Sequence, residues 1–155
     1  MHAIATLSNA EVRPLPLRPL EAPCVAPPTT IPKLLIIDDD PTLLHAFQLR
    51  LRDYYVDLLA AYHGMHGIWL ATTKSPDLIV TDQRMPQGQG DYVMQCLKQR
   101  SETASIPVMI LTGLRDKDLA NRLLRLGAVK VLQKPIAFQA LVAEASRYIR
   151  FLRRE

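Results

Sequence analysis

Short apolar runs alternate with segments of helical spacing from Lys33 to the end of the chain. Apolar runs of roughly four to eight residues have strand length, and apolar residues three or four positions apart form one face of a helix. The alternation is typical of a parallel sheet flanked by helices. We therefore predict an α/β fold with strands at 34–37, 55–60, 78–81, 108–111 and 129–132, and helices at 41–53, 65–74, 90–101, 115–126 and 137–152.

Helix signals and charges refine this prediction. Asp40 before Pro41 is a favourable N-cap followed by proline at the first helical position, and Gly127 follows the fourth predicted helix. The first, third and fourth strands are continuous apolar runs, which suits central positions, whereas Asp57 and Lys130 suit edge strands. With right-handed crossovers, these features favour the strand order 2-1-3-4-5 of flavodoxin-like sheets.

The first 32 residues have a different character. Seven of the twelve prolines lie there, and the segment has neither helical nor alternating periodicity. We predict a disordered, proline-rich tail at 1–32, followed by one domain at 33–155. Residues 16–19 formally match a PxxP ligand, although such matches recur by chance in proline-rich segments.

Composition excludes several classes of protein. The 155 residues are 48% hydrophobic and 22% charged, which is ordinary for a soluble globular domain. The chain has no apolar run of membrane-spanning length and no secretory leader, so we expect a cytoplasmic protein without membrane contact. Cys24 and Cys96 form no disulfide or zinc pattern, and a net charge of +4 without a DNA-binding motif argues against nucleic acid as a partner.

Three carboxylates follow the first and third strands. Asp38 and Asp39 end one strand and Asp82 ends the other, and in the predicted order these strands are neighbours. Unit charges about 4 Å apart repel by about 4 kcal/mol at an effective dielectric near 20, so such a cluster needs protons or a cation. Oxygen ligands without His or Cys favour a hard cation, and we predict a Mg²⁺ site.

Thr112 and Lys134 follow the fourth and fifth strands on the same side. A transferring phosphoryl group spreads its charge over three oxygens, which a metal, an ammonium group and a hydroxyl can stabilise. An aspartate in this ring can accept the phosphoryl group covalently.

These segments together resemble the receiver domain of two-component response regulators, of the chemotaxis-receiver type. The resemblance covers about 120 residues. Each segment is weak evidence alone, but the ordered set is specific. The matching segments are LIIDDDP at 35–41, DLIVTDQRMP at 77–86, Gly90, PVMILTG at 107–113, Gly127-Ala128 and QKP at 133–135.

The resemblance implies roles for the acidic residues. Asp82 would be the phosphoacceptor, and Mg²⁺ would be held by Asp39, Asp82 and the backbone carbonyl of Arg84. Asp38 would assist in binding the metal through water.

The resemblance also implies that Thr112 hydrogen-bonds one phosphoryl oxygen and Lys134 pairs with another. The bond between Lys134 and Pro135 would be cis, a form that proline makes accessible. The phosphoryl donor would be a sensor histidine kinase or a phosphotransfer protein. Because the printed chain stops after the fifth helix, we expect a single-domain regulator that signals to a downstream protein by altered binding. A homodimer through helix 4, strand 5 and helix 5 is a further expectation.

Three positions depart from the family pattern. Val131 stands where the family usually has a Tyr or Phe that changes rotamer, so we expect Thr112 to move and the signal to pass through helix 4 and strand 5. Arg84 and Leu114 occupy the two positions that tune hydrolysis of the aspartyl phosphate. Neither orients water well, so we expect a long-lived phosphoryl group.

Two other functions compete with this interpretation. Asp38-x-Asp40-x-Thr42 also resembles the signature of haloacid-dehalogenase-like phosphatases, with Asp38 as nucleophile, but the final acidic pair of that family is missing after Lys134. Because of Val131, the chain could instead be a degenerate receiver that acts as a phosphorylation-independent interaction module. The retained acids favour phosphorylation, with self-phosphotransfer and slow autodephosphorylation but no turnover of a separate substrate.

The histidines carry weaker signals. His63 and His66 have a spacing that can bind a metal on a helix, but no third ligand accompanies them, and we predict a solvated loop there. His45 lies on the first predicted helix, where packing explains its position.

Overall fold

A computed structural model of the chain describes residues 29–154. The fold has five strands, Lys33–Ile37 (β1), Asp57–Ala61 (β2), Leu78–Asp82 (β3), Val108–Thr112 (β4) and Lys130–Gln133 (β5). Five helices alternate with them, Pro41–Leu51 (α1), Gly64–Lys74 (α2), Gly90–Lys98 (α3), Lys117–Arg125 (α4) and Phe138–Ala145 (α5). Of the proline-rich segment predicted at 1–32, residues 1–28 lie outside the described part of the chain.

The five strands form one parallel sheet in the order β2-β1-β3-β4-β5. The predicted fold class and strand order are therefore confirmed. Hydrophobicity explains the order, because β3 and β4 are buried along their whole length while Asp57 of the edge strand β2 is exposed.

Each face of the sheet carries its own core. On one face, Leu35 and Ile37 pack with side chains of α2, α3 and α4. On the other face, Leu34 and Ile36 pack with the buried residues of α1 and α5. Successive residues of β1 thus serve opposite cores, as the two-residue period of a strand requires.

The helix starts follow local capping. The Asp40 carboxylate accepts hydrogen bonds from the backbone N–H groups of Thr42 and Leu43, at 2.9 and 3.4 Å, as its predicted N-cap role requires. Asp116 caps α4 in the same way, so that helix begins at Lys117 and not at residue 115. Gly127 has a φ of 107° and follows α4 in the left-handed conformation that glycine favours.

Two local predictions were wrong. The last helix ends at Ala145, not at residue 152, because the N–H groups of Arg147 and Tyr148 bond to carbonyls only three residues back. The chain then pairs with the segment before β2, where the N–H of Tyr55 donates to the carbonyl of Leu152 at 2.8 Å. The solvated loop predicted for His63 and His66 is also wrong, because His63 is the N-cap of α2 and its Nδ1 accepts from the N–H of His66 at 3.2 Å.

Within the described part of the chain, none of the helices combines the length and apolar character that crossing a bilayer requires.

Candidate functional site

The carboxyl ends of β1 and β3 bring the acidic residues together. Carboxylate oxygens of Asp38, Asp39 and Asp82 lie within 4.8 Å of one another. Asp38 and Asp82 are buried, whereas Asp39 is exposed. Forty-four positions separate Asp38 from Asp82 in the sequence, and the direct pairing of β1 with β3 removes that separation.

Lys134 contacts both buried carboxylates. Its Nζ lies 2.7 Å from Oδ2 of Asp38 and 3.1 Å from Oδ1 of Asp82. The residue follows β5, and its backbone N–H donates to the carbonyl of Thr112 at 2.8 Å, which extends the β4–β5 ladder to the site. The next peptide bond, between Lys134 and Pro135, is cis.

Asp38 holds the lysine and the start of α1 at once. Its Oδ2 accepts from Lys134, while its Oδ1 accepts from the backbone N–H of Asp40 at 2.9 Å. Both oxygens of this carboxylate are therefore engaged. Asp82 shares only one oxygen with the lysine among these contacts, which leaves its second oxygen for other chemistry.

The electrostatics of Asp82 reflect a balance of burial and charge. Burial raises the pKa of its carboxyl above the ordinary value of 3.8, the Lys134 ammonium opposes this rise, and the nearby Asp38 adds to it. Burial alone would lower the pKa of Lys134, but the hydrogen bond and the negative charge of Asp38, together with Asp82, outweigh it and leave that pKa raised. Lys134 therefore stays protonated beside the Asp82 carboxyl, whose ionisation burial disfavours.

The acidic cluster suits a hard divalent cation. Its potential ligands are all oxygens, and one cation can reach oxygens that lie within 4.8 Å of each other. The exposed Asp39 leaves room for water, which Mg²⁺ retains more readily than Ca²⁺ does. The donor set therefore fits the predicted Mg²⁺, with Asp39 and Asp82 as the carboxylates least engaged by the protein.

Thr112 is the last residue of β4, beside the acidic cluster, and its hydroxyl is hydrogen-bonded to the backbone of Leu114. The residue is buried, and its hydroxyl oxygen accepts from the backbone N–H of Leu114 at 3.1 Å. The structure thus brings Lys134 and the acids into direct contact, while the threonine hydroxyl is engaged in the loop that leads to α4.

A cleft opens beyond Thr112, on the side away from the acids. Its volume is about 310 Å³, and its lining includes Leu114, Ala120 and Val131. Val131 is half-buried and packs against the core of the α2, α3 and α4 face. A small side chain at this position leaves the cleft open where a large ring would fill it.

Arg84 and Leu114, the two positions predicted to tune hydrolysis, lie at the surface near the site. Arg84 is exposed, two residues after Asp82, and Leu114 is 40% exposed at the edge of the cleft. Neither side chain forms an ion pair or side-chain hydrogen bond with the site residues in the part of the chain that the structure describes.

Glycines position the loop after β3, a role that sequence analysis missed for two of them. A Cβ at Gly90 would lie 2.8 Å from the carbonyl oxygen of Asp82, so this position must lack a side chain. A Cβ at Gly64 would lie 2.7 Å from the carbonyl oxygen of Gly88, and Gly88 itself has a φ of 118°. The Gly64–Gly88 contact holds the 83–89 loop against the start of α2. Because 24 positions separate Gly64 from Gly88, no pattern in the sequence marks this contact.

Comparison with known proteins gives the family. The response regulator receiver domain model matches residues 34–146. The chain therefore belongs to the receiver domain family of response regulators.

Individual relatives agree with this assignment. The chain is 33% identical to Hybrid signal transduction histidine kinase D of Dictyostelium discoideum over 72% of its length, and it spans only 7% of that protein. It is 31% identical to Protein PilH of Pseudomonas aeruginosa, covering 71% of this chain and 91% of PilH. A response regulator receiver domain protein from Clostridium thermocellum has a solved structure that superposes with a TM-score of 0.68, at 31% identity over 76% of this chain and 94% of that one.

Family membership decides between the receiver interpretation and the phosphatase interpretation. Receiver domains are signalling domains that bind Mg²⁺ in an acidic pocket and interact with histidine kinases and phosphotransfer proteins. The resemblance of Asp38-x-Asp40-x-Thr42 to haloacid-dehalogenase-like phosphatases is not supported, because both oxygens of Asp38 are engaged and Asp40 caps α1.

Proposed function

We propose that this receiver domain accepts a phosphoryl group on Asp82 from a histidine kinase or phosphotransfer protein. The observation that carries the proposal is the position of Asp82. It is a buried carboxylate in contact with Lys134 and grouped with Asp38 and Asp39. An oxygen of the ionised Asp82 carboxylate attacks phosphorus as the phosphorus–nitrogen bond of the donor phosphohistidine breaks, and the imidazole leaves as a neutral ring because its other nitrogen has taken a proton from solvent. Water later attacks the aspartyl phosphate and releases inorganic phosphate.

Each side chain of the site has a separate role in this transfer. Lys134 offers positive charge where the phosphoryl oxygens gather, and Asp38 positions the lysine through the 2.7 Å contact. Thr112 donates its hydroxyl to another phosphoryl oxygen after releasing the Leu114 N–H. Mg²⁺, held by Asp39, Asp82 and the carbonyl of Arg84 with help from Asp38, would supply further charge stabilisation.

The phosphorylated form acts by changing what its surface binds. Movement of Thr112 alters the loop to α4, and α4 with β5 presents the changed surface to a downstream protein or a second copy. Hydrolysis is slow, because Leu114 and Arg84 do not orient the attacking water. The domain thus catalyses no reaction beyond its own phosphorylation and dephosphorylation. We place this exchange in the cytoplasm.

A phosphorylation-independent interaction module is the second candidate. Val131 beside an open cleft and a threonine hydroxyl bonded to Leu114 favour it, because both weaken the link between the site and α4. The complete set of Asp38, Asp39, Asp82 and Lys134 favours phosphorylation.

Labelling with acetyl phosphate tests the proposal. We expect Mg²⁺-dependent incorporation of one phosphoryl group in the wild type and none in Asp82→Asn. Glu144→Gln serves as the control, since this carboxylate pairs with Lys130 and lies outside the acidic cluster. Absence of labelling in the folded wild type would favour the interaction module, and loss of labelling only in Asp38→Asn would contradict the assignment of the acceptor.

A further inference from the structure

The outer edge of β2 carries backbone groups that the fold does not use. The N–H of Asp57 donates to the carbonyl of Pro32 at 2.9 Å, and the carbonyl of Ala61 accepts from the N–H of Asp38 at 3.0 Å, so residues 57 and 61 face β1. Successive residues of a strand direct their N–H and C=O groups alternately to its two sides. Leu58 and Ala60 therefore direct these groups away from the sheet, and no group within residues 29–154 bonds to them there.

This edge is also uncharged beyond its first residue. Asp57 is followed by two leucines and two alanines, and residues 58–73 include no Asp, Glu, Lys or Arg. The opposite edge strand, β5, begins with Lys130, and charges on an edge protect it from pairing with another sheet. The helices do not close the β2 edge, because α2 packs on the inner strand β1 as much as on β2. An uncharged edge with free backbone groups is suited to the addition of a further strand.

The β2 strand is complementary to a second copy of itself. In an antiparallel register centred on Leu59, Leu58 of one copy lies opposite Ala60 of the other, and each such pair exchanges both N–H···O bonds. On the face of the sheet that carries α1, a large side chain thus meets a small one. On the face that carries α2, Leu59 meets Leu59 in a pair without hydrogen bonds, where side chains approach most closely. Asp57 falls opposite Ala61, so no charged residue of the strand faces another.

The same register keeps like charges apart, although each copy has a net charge of +4. The two Asp57 residues would lie four positions apart along the seam, or about 13 Å at 3.3 Å per residue. The guanidinium of Arg154 lies 5.0 Å from the ring centre of Tyr55, before the strand begins. The two Tyr55 residues would lie about 26 Å apart along the seam. Both separations exceed the screening length of about 8 Å at physiological ionic strength, so a second copy is an occupant that this edge accepts without repulsion.

We propose that two copies of this chain pair through β2 in antiparallel orientation. The pairing joins the two five-stranded sheets into one continuous sheet, with Leu59 of each copy at the two-fold axis. It uses the edge opposite to β5 and therefore differs from the homodimer through helix 4, strand 5 and helix 5 that the sequence led us to expect. It is also independent of the function proposed for Asp82, because β2 contributes no side chain to the acidic cluster.

Sedimentation of the full-length chain over a concentration series tests the pairing, and we expect its mass to double as the concentration rises. Ala60→Pro removes an N–H that the fold itself does not use, which an edge strand tolerates. The dimer should weaken roughly tenfold or more, because each copy loses one hydrogen bond across the seam. Leu58→Lys adds a charge to the seam, should weaken the dimer as well, and decides the test if Ala60→Pro does not fold. The matched control is Val129→Lys, which adds the same charge beside the other edge strand and should leave the dimer unchanged.

Oxidative cross-linking tests the register. Opposed residues of a pair without hydrogen bonds have Cα atoms about 4.5 Å apart, within the range of a disulfide, so Leu59→Cys should link two copies. Asp57→Cys on the same strand should not link them, and the wild type, with Cys24 and Cys96, sets the background. A wild type that stays monomeric at every concentration would overturn the proposal. A dimer that resists Leu58→Lys and is not linked by Leu59→Cys would overturn it as well and would indicate another surface.

Discussion

The two sides of the site differ in how their polar groups are held. On the acidic side, Lys134 touches Asp38 and Asp82 at 2.7 and 3.1 Å, and the carboxylates are buried. On the other side, the hydroxyl of Thr112 is bonded to the Leu114 N–H, next to an open cleft beneath Val131. The groups proposed to stabilise charge are therefore positioned in advance, whereas Thr112, the proposed reporter of phosphorylation, is held by a hydrogen bond that its movement toward the acids would break.

This difference matches the separate requirements of charge stabilisation and of a conformational switch. Charge stabilisation gains from fixed groups, since no reorganisation is needed when the phosphoryl group arrives. A switch needs two arrangements that differ little in free energy, and one exchanged hydrogen bond of about 1 kcal/mol meets that need. Four variants probe the contrast.

The largest effect is expected for Lys134→Met. The substitution removes the ammonium that pairs with both buried acids, so the rate of acetyl phosphate labelling should fall on the order of a hundredfold. Lys130→Met is the control, because that lysine lies on β5 just before Lys134 and pairs only at 3.7 Å with Glu144. Similar labelling rates for the two variants would contradict the role of Lys134.

Leu114→Glu should shorten the life of the phosphoryl group. A carboxylate at this exposed position can orient water, and we expect hydrolysis to quicken roughly tenfold. Leu124→Glu places the same charge on α4 at a similarly exposed leucine and should leave the lifetime unchanged. Decay of the labelled protein measures both, and a wild type that loses phosphate faster than Leu114→Glu would refute the explanation.

Thr112→Val should uncouple the switch while labelling stays within about fivefold of the wild type, the equivalent of one hydrogen bond. Beryllofluoride imitates the phosphoryl group, so its addition should shift the Leu114 amide resonance and those of α4 and β5 in the wild type. The valine variant should bind beryllofluoride without these distant shifts, and Thr112→Ser should retain them. Unchanged α4 and β5 spectra in the wild type would rule out this path.

The smallest effect concerns the stability of the metal-free protein. The pKa of Asp82 is raised above 3.8 by burial, so between 3.8 and the folded value the folded state binds more protons than the unfolded state. Stability therefore falls as the pH rises through that window, and the ionised carboxylate remains a cost at neutral pH.

Asp82→Asn should consequently raise the Tm by a few degrees at pH 7 in the presence of a chelator. This gain should shrink as the pH falls toward 3.8. Asp39→Asn, at the exposed carboxylate, should change the Tm far less. Thermal unfolding at several pH values measures both, and a lower Tm for Asp82→Asn at pH 7 would contradict the electrostatic balance described for the site.

The sequence predicted the fold well where local and global signals agree. Charges at Asp57 and Lys130 marked the two edge strands, and the strand order then determined which strand ends are neighbours. The end of α5 was predicted wrongly because Ile149 and Leu152 continue the apolar spacing of the helix. Ile149 is indeed buried, but it reaches the core from a turn, and spacing alone does not distinguish the two backbones.

Other features have no local signature. Histidine is an uncommon N-cap, so the capping role of His63 was not predicted, although the helix predicted at 65–74 begins within one residue of Gly64. The Gly64–Gly88 approach joins the start of α2 to the loop after β3, and only the folded backbone reveals it. The direction of the Thr112 hydroxyl depends on a rotamer that the sequence does not specify.

Chemical mapping of the acyl phosphate tests the central assignment most directly. Borohydride reduces an aspartyl phosphate to homoserine, which peptide sequencing by mass spectrometry can locate after labelling in Mg²⁺. The arrangement of Asp82 beside Lys134 predicts homoserine at position 82, dependent on Mg²⁺ and absent at positions 38 and 39. Homoserine at position 38, or none in the folded protein, would contradict it.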